Sequence, residues 1–139
     1  PVARLFLGDV GSLPIGLLSG WLLLSLAASG HLAAALLLPL YHVADATLTL
    51  LRRAAKGERV WEAHRSHFYQ RATMNGYAVV AVDARIALLN VGLAVLAVLT
   101  ILWPILSVPA LLLGVLKVAF LLWRFATPKD RSMSERRSV

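Results

Sequence analysis

Residues 86–123, IALLNVGLAVLAVLTILWPILSVPALLLGVLKVAFLLW, carry one charged side chain, Lys117. A helix crosses a bilayer with roughly 20 apolar residues, so this run is long enough to cross twice. Pro104 and Pro109 lie near its middle, and a proline ends one helix more readily than it continues it. The stretch reads as two spans, at about 84–103 and 105–123, with a helical lead-in from Tyr77. Upstream, Leu13 to Ala28 is a further apolar run, and no charge interrupts residues 10–29. Ser12 suits a helix N-cap and Pro14 a first turn. After Ser29-Gly30-His31 comes an apolar stretch over about 32–51, in which Pro39 predicts a kink and Asp45 is an acid within a span.

The expectation is an all-α, polytopic membrane protein of about four transmembrane helices. The composition agrees: 59% of the 139 residues are hydrophobic, 15% are charged, and the mean hydropathy is +0.74. A soluble domain of this size has about a quarter of its residues charged. There is no cysteine, which excludes disulfides and thiolate metal sites. The net charge of +7 sits in clusters flanking the apolar runs. That pattern fits anionic headgroups or phosphorylated substrates and not nucleic acid.

The clusters also orient the chain. Arg52, Arg53, Lys56, Arg59, Arg65 and Arg71 follow the second run, Arg124 to Arg137 follow the fourth, and Arg4 precedes the first. The turns near Gly30 and Pro104 contain neither Lys nor Arg. The positive-inside rule places both termini and the loop 52–76 in the cytoplasm. Four spans satisfy that parity, whereas three or five do not. Residues 128–139 read as a basic, disordered cytoplasmic tail. Lys117 is expected to snorkel to the cytoplasmic interface, Asp83 and Arg85 to be interfacial, and Asn90 to hydrogen-bond between helices.

Three places could carry chemistry. In Gly8-Asp9-Val10-Gly11-Ser12, two glycines permit a tight turn and a close backbone approach, and the helix that follows offers free N–H groups to a phosphate. Asp9 is a hard oxygen ligand of the kind that Mg2+ takes together with phosphates and water. The same residues would equally serve as a turn and a cap. In the loop, His64 and His67 stand at i, i+3 beside Arg65 and Arg71 and can bind or protonate a phosphate. The plainer alternative is a solvated loop on anionic headgroups, with Trp61, Phe68 and Tyr69 as interfacial anchors. Asp45 either faces a cytoplasmic cavity or pairs with a neighbouring helix.

Taken in order, F-L-G-D-V-G-S at 6–12, Pro39, Asp45, Leu51-Arg52-Arg53, Lys56-Gly57 and A-H-R-S-H-F-Y-Q at 63–70 resemble the polyprenyl-phosphate N-acetylhexosamine-1-phosphate transferases (glycosyltransferase family 4). The loop is most similar to the branch that initiates O-antigen and lipopolysaccharide synthesis. The motifs cover roughly residues 4–90. The resemblance implies that Asp9 binds Mg2+ in catalysis. It also implies that Gly8, Gly11, Ser12, His64, Arg65, His67 and Arg71 contact substrate, with His67 catalytic. Related enzymes often carry consecutive histidines, whereas Arg65-Ser66 separate His64 from His67 here.

The family's paired aspartates and Asn-rich motif lie upstream of the matching region. The resemblance therefore implies that 1–127 is the C-terminal part of a bacterial inner-membrane enzyme and cannot complete a site alone. The implied reaction moves N-acetylhexosamine-1-phosphate from a UDP-N-acetylhexosamine to undecaprenyl phosphate and releases UMP. The rival expectation is a noncatalytic transporter or assembly subunit, with Asp45 and Asn90 lining a path.

Overall fold

The computed structural model describes residues 8–59 and 67–128, and of Asp9 the backbone alone. Among the described residues the chain is all-α. Its helices are α1 (Gly8–Ala28), α2 (Leu32–Leu37), α3 (Leu40–Ala55), α4 (Phe68–Met74), α5 (Val79–Leu102) and α6 (Ser107–Ala126), with a 3₁₀ turn at Pro104–Leu106 before α6. His64, Arg65 and Trp61 lie outside the described residues, as do 129–139 of the tail.

Three stretches are long and apolar enough to cross a membrane: Val10–Ala28, Val79–Leu102 and Pro104–Ala126. They make the chain a multi-pass membrane protein in length and composition. Large apolar side chains such as Leu17, Leu22, Val80, Leu88, Val115 and Leu116 point outward, as they do where the surroundings are lipid.

The second expected span differs. Instead of one helix over 32–51, the chain forms α2 of 6 residues and α3 of 16. Pro39 is the reason: it has no N–H for the carbonyl of Ala35, and its ring crowds that carbonyl. Leu38 keeps helical torsions and Pro39 nearly does (φ −88°, ψ 1°), so the chain kinks and continues. Neither piece alone has the length of a span.

The two pieces bury different faces. In α2, Ala33, Ala34, Ala35 and Leu37 are buried against α1, α5 and α6. Alanines let backbones approach where water supplies no driving force for helix association. Gly114 of α6 completes the fit. A Cβ there would lie 2.6 Å from Leu37 Cδ2 and 3.2 Å from Leu93 Cδ2. In α3 the buried face runs Tyr41, Asp45, Thr49, Arg53. This row at i, i+4, i+8, i+12 is a polar stripe turned inward, while Val43, Leu48, Leu50 and Leu51 face out. Asn90 Nδ2 lies 3.5 Å from His42 Nε2 of α3, the interhelical contact its position within α5 suggested.

The α1 helix begins at Gly8, where φ is +60°, four residues before the expected Ser12 cap. Ser12 lies within the helix, and Pro14 is an internal proline. It removes the backbone bond that residue 14 would donate to the Val10 carbonyl, within two turns of the helix start. At its other end, Gly30 (φ +91°) closes the helix: its N–H bonds Ala27 O, and the His31 N–H bonds Leu26 O. This pair of bonds needs a left-handed residue, which glycine adopts without steric cost.

The short turns after α1 and α5 set α1 against α2 and α5 against α6. The end of α3, the start of α5 and the end of α6 share one end of the bundle, where α4 packs. The α4 helix is tied to that end, since Asn75 Nδ2 donates to Phe125 O at 2.9 Å and Tyr77 meets the Phe125 ring edge-on at 6.3 Å. Arg52, Arg53, Lys56, Arg71, Arg85 and Arg124 lie on these terminal segments.

Candidate functional site

At that end, the last turns of α3, the turn after it and α4 enclose a cavity of about 300 Å³. Its walls are Thr49, Arg52, Arg53, Lys56, Glu58, Arg71 and Met74. The local sequence explains how it forms. Gly57 (φ +70°) ends α3, with its N–H on Ala54 O and the Glu58 N–H on Arg53 O. This turn folds the chain back, so that Glu58 reaches Arg53 Nε at 3.1 Å and the carbonyl of Arg59 accepts from Arg53 Nη2. The buried Arg53 is thus a structural brace of the rim.

Asp45 fixes the opposite wall. Its side chain is 6% exposed. Oδ1 accepts the Phe68 backbone N–H at 2.9 Å and the Thr49 hydroxyl at 3.3 Å. Oδ2 lies 3.6 Å from His67 Nδ1, an electrostatic pairing longer than a hydrogen bond. A helix has free N–H groups in its first turn and favours negative charge there. Asp45, one turn into α3 and far away in sequence, meets that need for α4. Gln70 adds a second tie by accepting the His67 N–H at 3.3 Å. Of the two alternatives for Asp45, the pairing with a neighbouring helix is the one realised: it ties α3 to α4 and does not line the cavity.

His67 opens α4 as its N-terminal flanking residue, with extended torsions (φ −59°, ψ 150°). Its ring stacks on Tyr69 at 5.7 Å. Phe68, expected as an interfacial anchor, is 3% exposed and belongs to the core. It works as a platform: the Arg52 guanidinium lies 4.5 Å from its ring centre and that of Arg71 5.9 Å. Such contacts between cation and ring hold two like charges at one cavity.

Arg71, Arg52 and Lys56 have no carboxylate partner among the described residues. Glu58, the cavity's one acidic wall residue, is taken up by Arg53. An open cavity with this balance attracts an anion with several oxygens, and two guanidiniums suit a phosphate. Arg52, Arg53 and Lys56 were expected as cytoplasmic loop charges and as parts of the resembling motifs, without a site role. The signal that could have found them is basic residues on both arms of a turn closed by Gly57.

Asp9 lies in the first turn of α1. Gly8 and Gly11 flank it, but only Gly8 has a positive φ. Because the helix starts at Gly8, the free N–H groups fall on residues 8–11 and not beyond Ser12. The α1 helix packs mainly on α2, so it is not α1 that builds the cavity. Among the described residues no three His, Asp or Glu side chains gather as a metal cage. This donor set suits only a metal carried largely by substrate phosphates and water, as Mg2+ commonly is. Comparison with protein families, with curated proteins and with solved structures finds no match to this chain.

Proposed function

We propose that this chain forms the C-terminal part of a glycosyl-1-phosphate transferase of the bacterial inner membrane. Both termini and the cavity end lie in the cytoplasm, with the kinked α2–α3 pair taken together as the fourth crossing. The substrates are a UDP-N-acetylhexosamine and undecaprenyl phosphate, and the products are lipid-diphosphate-sugar and UMP. The observation that carries this reading is the cationic cavity of Arg52, Lys56 and Arg71 beside the Asp45-braced His67. The motif order along the sequence supports it.

An oxygen of the lipid phosphate forms a bond to the sugar-bearing phosphorus. The bond from that phosphorus to the bridging oxygen breaks, and UMP leaves with that oxygen. The attacking phosphate is already anionic near neutral pH, so positioning and charge neutralisation dominate. Arg52 and Arg71 neutralise the diphosphate oxygens. His67, paired through Nδ1 with Asp45, is the histidine that the resemblance assigns to the phosphate. Mg2+, with Asp9 as its one ligand from this chain, supplies further charge neutralisation when bound. Gly8, Gly11 and Ser12 open α1 and, like His64 and Arg65 outside the described residues, are assigned to substrate contact by the motif resemblance alone.

In the intact protein, Asp9→Asn should abolish Mg2+-dependent UMP release while the protein stays folded in the membrane. Arg52→Gln and Arg71→Gln should each raise KM for the UDP-sugar about tenfold, the worth of one charge-assisted bond. Undiminished turnover in Asp9→Asn, or unchanged KM in both arginine variants, would sink the assignment. Substrate flux across the membrane without UMP release would favour a transporter.

A further inference from the structure

A second cationic cleft, of about 350 Å³, lies on the outer face of the α5–α6 hairpin. Three cations line it: Arg85 from α5, and Lys117 and Arg124 from α6. Its walls are otherwise apolar and include Leu88, Gly92 and Phe120. On α5, residues 85, 88 and 92 follow one another at i, i+3, i+7, and on α6, 117, 120 and 124 do the same. Each row therefore forms a single helix face. Both faces lie beside the buried seam of Val82, Leu93, Val118 and Leu122 and outside it.

The depth of these charges is unusual. At 1.5 Å per residue, Arg124 lies about 30 Å along the helix from Pro104, near the edge of a hydrocarbon core about 30 Å thick. By the same measure Arg85 is about 25 Å from Leu102, and Lys117 about 20 Å from Pro104. Two cations thus start within the core and reach for its edge along the cleft. Arg85 rests 4.9 Å from the Tyr77 ring. None of the three has a carboxylate partner among the described residues. Asp83 stands two positions before Arg85, on another side of α5, and does not line the cleft. A charge at this depth needs a counter-ion, and the bilayer offers one in the phosphate of its own lipids.

We propose that this cleft binds an anionic phospholipid. Arg124, Arg85 and the tip of Lys117 take the phosphate-bearing headgroup, and one acyl chain descends past Leu88, Gly92 and Phe120. Clusters of basic residues between apolar helices attract anionic headgroups at about 1 kcal/mol per cation, and neutral headgroups lack that attraction. The site is separate from the α3–α4 cavity and does not depend on the reaction proposed there.

The test is lipid retention by the intact protein, measured by native mass spectrometry after exchange into detergent with phosphatidylglycerol, cardiolipin or phosphatidylcholine. The wild type should retain the two anionic lipids and not phosphatidylcholine. Lys117→Gln combined with Arg124→Gln should lower that retention at least about tenfold. The same loss of charge at the other cavity, Lys56→Gln with Arg71→Gln, should leave it unchanged. A Cβ at Gly92 meets nothing within 4 Å, so Gly92→Leu starts its side chain in open space, keeps all three cations and is aimed at filling the cleft that Gly92 lines. It should also lose the lipid. Equal retention of phosphatidylcholine, equal loss in both double variants, or full retention in Gly92→Leu would overturn the proposal.

Discussion

Two clefts at one end of this bundle gather cations, and they differ in what surrounds the charge. The α3–α4 cavity has three free cations, but acids hold its frame: Asp45 ties α4 to α3 and Glu58 braces Arg53. The α5–α6 cleft has three cations, no acid and a wall of leucine, glycine and phenylalanine. The first is fixed by buried hydrogen bonds and suits a polar, multiply charged ligand. The second rests on two helices that pack without it, and suits a ligand with one charged end and one apolar end. The same residue types thus serve different partners according to whether carboxylates or hydrocarbon stand behind them.

The comparison breaks most readily at Asp45. Asp45→Ala leaves the Phe68 N–H and the Thr49 hydroxyl without their buried acceptor and should cost about 3 kcal/mol. Faster hydrogen exchange at the start of α4 and a lower thermal midpoint in detergent would report it, while phospholipid retention at the α5–α6 cleft stays unchanged. Asp45→Asn keeps an acceptor oxygen and should recover much of the loss.

Gly114→Leu addresses the packing shared by the two halves. Its side chain would drive Leu37 and Leu93 from their places, at about 1–3 kcal/mol. Loosened α2–α6 packing should appear as a lower midpoint affecting both clefts. Gly57→Ala is narrower. Its left-handed torsion costs a side chain about 1 kcal/mol, and the loss should be confined to the rim near Arg53. The smallest effect has the opposite sign. Glu58→Gln removes the cavity's acid and should tighten UDP binding by about two- to fivefold, with a gain that fades as salt rises.

Much of this was legible in the sequence. The spans of α5 and α6 were, because 86–123 admits one charge and leaves no other home for so long an apolar run. So was the Pro39 kink, since a missing N–H is a property of the residue itself. Whether that kink leaves one span or two pieces was not, because it depends on how tightly Ala33, Ala34 and Ala35 pack among α1, α5 and α6. The Ser12 cap was misplaced because Gly8 opens the helix earlier, a choice the glycine permits but does not announce.

Among the candidate residues, Asp9, His67 and Arg71 stood out by residue type. Arg52 and Lys56 did not, because their meeting with Arg71 needs the Gly57 turn and the Phe68 platform, both products of tertiary contact. Lys117 read as a solitary snorkelling charge until α5 placed Arg85 beside it.

The central claim is that the α3–α4 cavity handles the diphosphate of a nucleotide sugar. The most direct measurement is UMP release by membranes carrying the intact protein, supplied with UDP-N-acetylhexosamine, undecaprenyl phosphate and Mg2+. The account predicts one UMP for each lipid-diphosphate-sugar formed, and a fall of about 100-fold in His67→Ala with the protein still folded. Membranes that release no UMP, or a His67→Ala variant as fast as the wild type, would contradict it.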